Sequence, residues 1–186
     1  MSSRLPPHTL VARLDSAGDV LLQGPAVRAV AASSARLTFL CGPRGRAAAE
    51  LLPGVDELIE FRAEWIDPEP QPLSRQAVEG LLARVERLRP DGAVILTSFH
   101  QSALPLALLL RLAGVPRIGA ISEDYPGSLL DVRHRVDDDL HEVERSLSLV
   151  AELGYRLPKR DDGKLRIRSA AAPPGVRLPP RPPPPG

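Results

Sequence analysis

VARLDSAGDVLLQGPAVRAV, residues 11 to 30, joins an apolar run to a helically spaced one through the hydrophilic turn Asp15-Ser16-Ala17-Gly18-Asp19. Thr9 to Leu14 reads as a short strand, and Leu21, Val27 and Val30 recur at helical intervals after the turn. Pro25 interrupts that helical pattern. Either the helix bends there, or a second helix starts with Gly24 as its cap and Pro25 in its first turn. Strand, loop, helix is the opening unit of an α/β fold.

Working outward, the same unit recurs. Arg36 to Cys41 predicts a second strand and Pro43 to Leu52 a short alanine-rich helix stopped by Pro53-Gly54. Val55 to Phe61 predicts a third strand, and the proline-rich Arg62 to Leu73 a surface loop. Ser74 then caps a helix whose Val78, Leu81, Leu82, Val85 and Leu88 share one face. Ala93-Val94-Ile95-Leu96 is the continuous apolar run of a parallel strand buried on both faces, the best candidate for a central strand. Ser102 to Ala113 predicts an apolar helix ended by Gly114, and Pro116 to Ile121 a fifth strand. After an irregular stretch from Ser122 to Arg135, a last helix runs from about Asp138 to Leu153, with Leu140, Val143, Leu147 and Val150 as its stripe. Five strand and helix alternations imply an α/β, Rossmann-like, doubly wound parallel sheet.

From Lys159 the apolar signals cease: residues 159–168 are charged, and residues 170–186 hold eight of the chain's 21 prolines. Residues 1–158 are therefore predicted to be the folded domain, and 159–186 a disordered or polyproline-like tail or interdomain linker. Its Leu178-Pro179-Pro180-Arg181 run could dock an aromatic groove, but a linker is the simpler expectation.

Composition narrows the functional classes. With 43% hydrophobic and 25% charged residues, the 186-residue chain has the makeup of a globular protein. A net charge of +1 supplies no field to draw in nucleic acid or an anionic membrane. Only Lys159 and Lys164 among the 24 basic residues are lysines, a skew that fits a GC-rich, bacterial coding sequence. Cys41, the sole cysteine, excludes an intrachain disulfide and points to a reducing compartment. No apolar run reaches the roughly 20 residues that span a bilayer, and none near the N-terminus has signal-peptide length. His8, His100, His134 and His141 lack metal-site spacing, so no metal is expected.

A doubly wound sheet binds ligands beyond the carboxyl ends of its strands. The loops to inspect are therefore Asp15 to Asp19, Gly42 to Arg46, Ser98 to Ser102 and Ser122 to Asp124. The first lacks the spacing of both the dinucleotide fingerprint and the phosphate loop, which disfavours a nicotinamide or ATP site. His100 and Gln101, after the central strand, could contact a sugar hydroxyl or a phosphorylated acceptor, or stand as a solvated pair. Arg44 and Arg46 could bind acceptor phosphates or serve as plain surface charges. By itself Asp19 reads as a carboxylate at a helix start, where the dipole contributes about 0.3–1 kcal/mol.

Four ordered stretches resemble one family. Arg13 to Leu22 followed by Pro25 to Ala29, then Pro53 to Ile59, Leu112 to Gly119, and His141-Glu142-Val143-Glu144 with its leucine-rich helix are similar to glycosyltransferase family 9, the ADP-heptose:lipopolysaccharide heptosyltransferases. The resemblance spans about residues 9 to 158. It implies the N-terminal, acceptor-side half of a GT-B architecture and an inverting sugar transfer to a cell-envelope glycan or glycolipid. Asp19 is then the general base, Ser16 an acceptor contact or a helix cap, and Gly18 a place where a sugar approaches the backbone; with His100 and Gln101 these make the acceptor-binding set. No cofactor is implied. The co-substrate is a nucleotide sugar such as ADP-heptose, whose site belongs to a C-terminal half that has no counterpart here. The expected place is the cytoplasm, at the inner face of the plasma membrane, with peripheral membrane contact and no nucleic-acid partner. The chain is expected to be inactive alone; the alternative is a non-catalytic remnant or binding module with a Rossmann-like fold.

Overall fold

The computed structural model describes residues 6–137 and 139–168. The polyproline expectation falls on 169–186, outside the described residues, as does Asp138 of the acidic run.

Six parallel strands form one sheet in the order β3-β2-β1-β4-β5-β6. They are β1 (His8–Arg13), β2 (Arg36–Cys41), β3 (Glu57–Glu60), β4 (Gly92–Ile95), β5 (Ile118–Ile121) and β6 (Val132–His134). The helices are α1 (Ala17–Leu22), α2 (Gly24–Ala31), α3 (Arg46–Ala49), α4 (Arg75–Leu88), α5 (Leu104–Leu112) and α6 (Glu142–Glu152). The chain winds outward from β1 in one direction, then returns to its other side at β4. The doubly wound expectation holds, and the reversal sits between β1 and β4.

The pleat explains how two layers of helices are held. Leu10, Ala12, Ala93, Ile95, Ile118 and Ala120 enter one core, shared with α4 and α5. Val11, Val94, Leu37, Phe39 and Cys41 enter the other, shared with α1, α2, α3 and α6. Each fully buried large apolar side chain contributes roughly 1.5–3 kcal/mol relative to exposure. The continuous apolar run at β4 thus follows from burial on both faces.

Several boundaries differ from expectation for physical reasons. Pro25 starts a second helix in place of a bend, and Gln23 occupies the cap position predicted for Gly24. The predicted helix from Pro43 begins as a tight 3-10 turn, Pro43–Gly45, so α3 keeps only four residues. A sixth strand and a 3-10 turn at Gly127–Leu129 lie in the stretch taken as irregular. Three residues are too few to show a period in sequence. The last helix begins at Glu142 under a His141 cap, later than the acidic run suggested. Its buried face is Arg145, Ser146, Leu149 and Val150, rotated from the expected stripe because two polar residues take core positions. Ser74 caps α4 as predicted, its Oγ accepting from the Ala77 N–H at 3.3 Å.

The charged segment after α6 lies against the domain. Both Arg28 Nε and Nη2 donate to the Asp161 carboxylate, at 2.6 and 2.8 Å, and the Arg168 N–H donates to the Leu51 carbonyl at 2.7 Å. Hydrogen bonding from Arg28 holds the Asp161 carboxyl down to about 2. A free Asp titrates near ~3.9, so this pair adds stability that is complete above that value and is lost as pH falls through about 2. Asp161→Asn should lower the neutral-pH melting temperature by roughly 2–4 °C, the shift that about 1 kcal/mol produces in a domain of this size. The difference from wild type should shrink steadily as circular-dichroism melts are repeated from pH 4 down to pH 2.

Candidate active site

The switch between β1 and β4 is where a doubly wound sheet opens a crevice at its carboxyl edge. Arg13, the last residue of β1, points there on the side of α1 and α6 and is fully buried. Its Nε donates to Asp15 Oδ1 at 2.6 Å, its Nη1 to Glu142 Oε2 at 3.1 Å and its Nη2 to Ser98 Oγ at 2.6 Å. The same Nη2 lies 3.5 Å from Asp19 Oδ1. Ser98 Oγ in turn donates to Asp15 Oδ2 at 2.9 Å, which closes a ring across the two central strand ends. A buried guanidinium is tolerable only when its donors are met in this way.

Asp19 is held from both sides. Ser16 caps α1 with its Oγ accepting from the Asp19 N–H at 3.4 Å, while Asp19 Oδ2 accepts from the Ser16 N–H at 3.3 Å and the Ser16 hydroxyl at 2.6 Å. This is a reciprocal capping box, and it commits the Ser16 hydroxyl proton to Asp19. A carboxylate offers about four lone-pair sites, so Oδ1 retains acceptor capacity beyond Arg13. The Asp19 side chain is 32% exposed, which leaves it reachable from solvent. A Cβ added at Gly18 would meet only Ser16 Oγ, at 3.8 Å, so packing does not demand glycine there.

The loop after β2 has a different task. A Cβ at Gly42 would stand 2.2 Å from the Leu14 carbonyl oxygen, and one at Gly45 2.6 Å from a Val20 methyl. These glycines let the β2 loop pack under the Asp15 turn. Arg46 is occupied by Glu50 at 2.9 Å and Glu60 at 3.9 Å, which matches the surface-charge alternative; Arg44 is exposed.

Beyond β4 and β5 opens a cleft of about 210 Å³, lined by Ser98, His100, Gln101, Ser122, Asp124 and Arg145. Gln101 Oε1 accepts from the Ser98 N–H at 3.4 Å. Ser98 therefore belongs to the cleft and to the Arg13 ring at once, and only two contacts, through Arg13 Nη2, separate it from Asp19. The structure thus groups Ser16, Gly18 and Asp19 on the α1 side, and His100 and Gln101 in the cleft.

Sequence reasoning placed Asp15 and Ser98 in loops to inspect but gave no site role to Arg13, Asp15, Ser98, Glu142 or Arg145. One signal was available: an arginine inside an otherwise apolar strand must find partners, and Asp15 stands two residues on.

No family model matches the sequence, and no curated protein matches it significantly. Solved structures do match. A glycosyl transferase family 9 protein from Veillonella parvula superposes with TM-score 0.65 at 16% identity, over 86% of this chain and 43% of that one. The E. coli heptosyltransferase WaaC, solved with ADP-2-deoxy-2-fluoro heptose, gives 0.62 at 18%, over 83% and 50%. E. coli ADP-heptose lps heptosyltransferase II gives 0.60 at 19%, over 76% and 39%. The fold is shared with these glycosyltransferases. The chain spans half their length or less, and at these identities the likeness concerns the fold. No helix among the described residues is long and apolar enough to cross a membrane.

Cys41, at the end of β2, is fully buried, and burial pushes its thiol up to about 11. It should stay unmodified by Ellman's reagent in the native protein and react on unfolding in urea. Removing one member of a buried ion cluster costs about 3–5 kcal/mol. Arg13→Met should therefore lower the urea midpoint far more than Asp19→Asn, which loses a cap contact worth about 0.5–2 kcal/mol.

Proposed function

We propose that the chain is the acceptor-side domain of a glycosyltransferase of the family 9 type, moving a sugar from a nucleotide-sugar donor to a cell-envelope glycan or glycolipid. The observation that supports this best is Asp19: a carboxylate at the switch point of the same fold, fixed by Ser16 and Arg13 yet open to solvent. The ordered sequence resemblance at Arg13 to Leu22 supports it independently.

In the proposed reaction the acceptor lies over α1 and the cleft, with Ser16, Gly18, His100 and Gln101 around it. Asp19 takes the proton of the acceptor hydroxyl as that oxygen attacks the anomeric carbon from the face opposite the leaving nucleotide diphosphate, which inverts the configuration. The capping box and Arg13 hold the carboxylate in one orientation, so its alignment costs little when the acceptor binds. The donor's nucleotide binds outside this domain, on a second domain of the kind that makes up the remainder of the structural neighbours. Stabilising the departing diphosphate is usually the larger electrostatic task, so residues 1–186 alone are proposed to lack transferase activity. Residues 159–186 are proposed as the connection toward that second domain, and the site of action as the cytoplasmic face of the membrane.

The test is transfer from ADP-heptose to a cell-envelope acceptor by this domain joined to a nucleotide-sugar-binding half. Asp19→Asn should reduce kcat by about 10²–10⁴-fold, the usual worth of a positioned general base. An unchanged rate would remove Asp19 from the mechanism.

A further inference from the structure

Two buried arginines meet a carboxylate through Nε and Nη2, and they do so differently. Arg28 closes directly on Asp161 with both nitrogens, at 2.6 and 2.8 Å, the two-pronged geometry that a guanidinium and a carboxylate adopt when nothing stands between them. Arg13 Nε likewise donates to Asp15 Oδ1 at 2.6 Å. Its Nη2 donates instead to Ser98 Oγ at 2.6 Å, and Ser98 passes its own proton to Asp15 Oδ2 at 2.9 Å. A hydroxyl is thus inserted into one prong of the pair.

The insertion bears on Asp19. A terminal guanidinium nitrogen carries two N–H groups, and Ser98 takes only one of those on Nη2. Nη2 stops 3.5 Å from Asp19 Oδ1, outside the roughly 2.7–3.2 Å of an N–H···O bond. At that separation the guanidinium attracts the carboxylate by charge without occupying its lone pairs. Asp19 Oδ2 is already taken by the Ser16 N–H and hydroxyl, so Oδ1 is the oxygen left to accept a proton. An Arg13 that closed on Asp19 would fill it. Glu142 anchors the other terminal nitrogen, Nη1, at 3.1 Å, which leaves Ser98 as the partner that places Nη2. Ser98 can do so because β1 and β4 are neighbours in the sheet, and Gln101 Oε1 steadies its loop by accepting from the Ser98 N–H.

We propose that Ser98 is a positioning residue for Asp19: its hydroxyl holds the Arg13 guanidinium off Asp19 Oδ1, near enough to support the charge of the carboxylate and too far to block it. The inference rests on Asp19 as the base of the proposed transfer and adds the residue that keeps that base free.

Two measurements test it. In the domain joined to a nucleotide-sugar-binding half, Ser98→Ala removes the hydroxyl and lets Nη2 move onto Asp19. The kcat should fall by about tenfold to a hundredfold, the scale of an ångström-sized misplacement, while the donor KM stays unchanged because the nucleotide binds elsewhere. Ser98→Thr keeps the hydroxyl and should restore most of the rate, whereas Ser98→Cys, which fills similar space with a weak hydrogen-bonding group, should stay slow. In the intact 186-residue chain, without donor or turnover, urea midpoints are compared for Ser98→Ala, Asp19→Ala and the double variant. Each single variant leaves the buried Nη2 one of these two acceptors and the double variant removes both, so the double loss should exceed the sum of the single losses. Additive losses, or an unchanged kcat in Ser98→Ala, overturn the proposal. An Asp19→Asn enzyme that transfers at the wild-type rate sinks the base reading; one that slows while Ser98→Ala does not sinks this inference alone.

Discussion

A buried guanidinium holds the carboxyl edge of this sheet together. Arg13 is withdrawn from water at the end of β1, and its donors are met by Asp15 from the next turn, Ser98 from beyond β4 and Glu142 from the start of α6. None of these groups could be buried singly at acceptable cost. Together they join three segments far apart in sequence at the point where the chain reverses its direction of winding. Asp19 borders the ring without being enclosed by it, so a solvent-reachable carboxylate stands on a rigid support.

Two other arginines show how differently one residue type is used. Arg28 takes Asp161 in a two-pronged pair that fastens the segment after α6 across α2. Arg145, at 6% exposure, is held on the buried face of α6, and its Nε and Nη1 stay unmet. Packing fixes the stem in each case. What differs is whether a carboxylate of the same chain answers the guanidinium.

Glycines divide in the same manner. Gly42 and Gly45 are required because the β2 loop passes within contact of the Leu14 carbonyl and the Val20 side chain, so their absence of Cβ belongs to the fold. A side chain at Gly18 would make only an ordinary contact with Ser16 Oγ, so packing does not require glycine there. The loop after β2, one of the four to inspect, packs beneath the turn that carries Asp15 and Asp19.

Local chemistry was legible from the residues alone. Strand β2, the Ser74 cap, the break at Pro25 and the Ser16 and Asp19 turn all rest on groups within four residues of one another, or on a period long enough to see. Strand β6 was too short for that, and the buried face of α6 was hidden because Arg145 and Ser146 occupy it in place of apolar residues. The alternation of apolar runs determined a doubly wound parallel sheet, since burial on both faces leaves no other pattern. Only the tertiary structure decided what the charged residues do. Arg13 meets Ser98 and Glu142 across 85 and 129 positions, and no periodicity encodes a contact made by two loops brought together by the sheet.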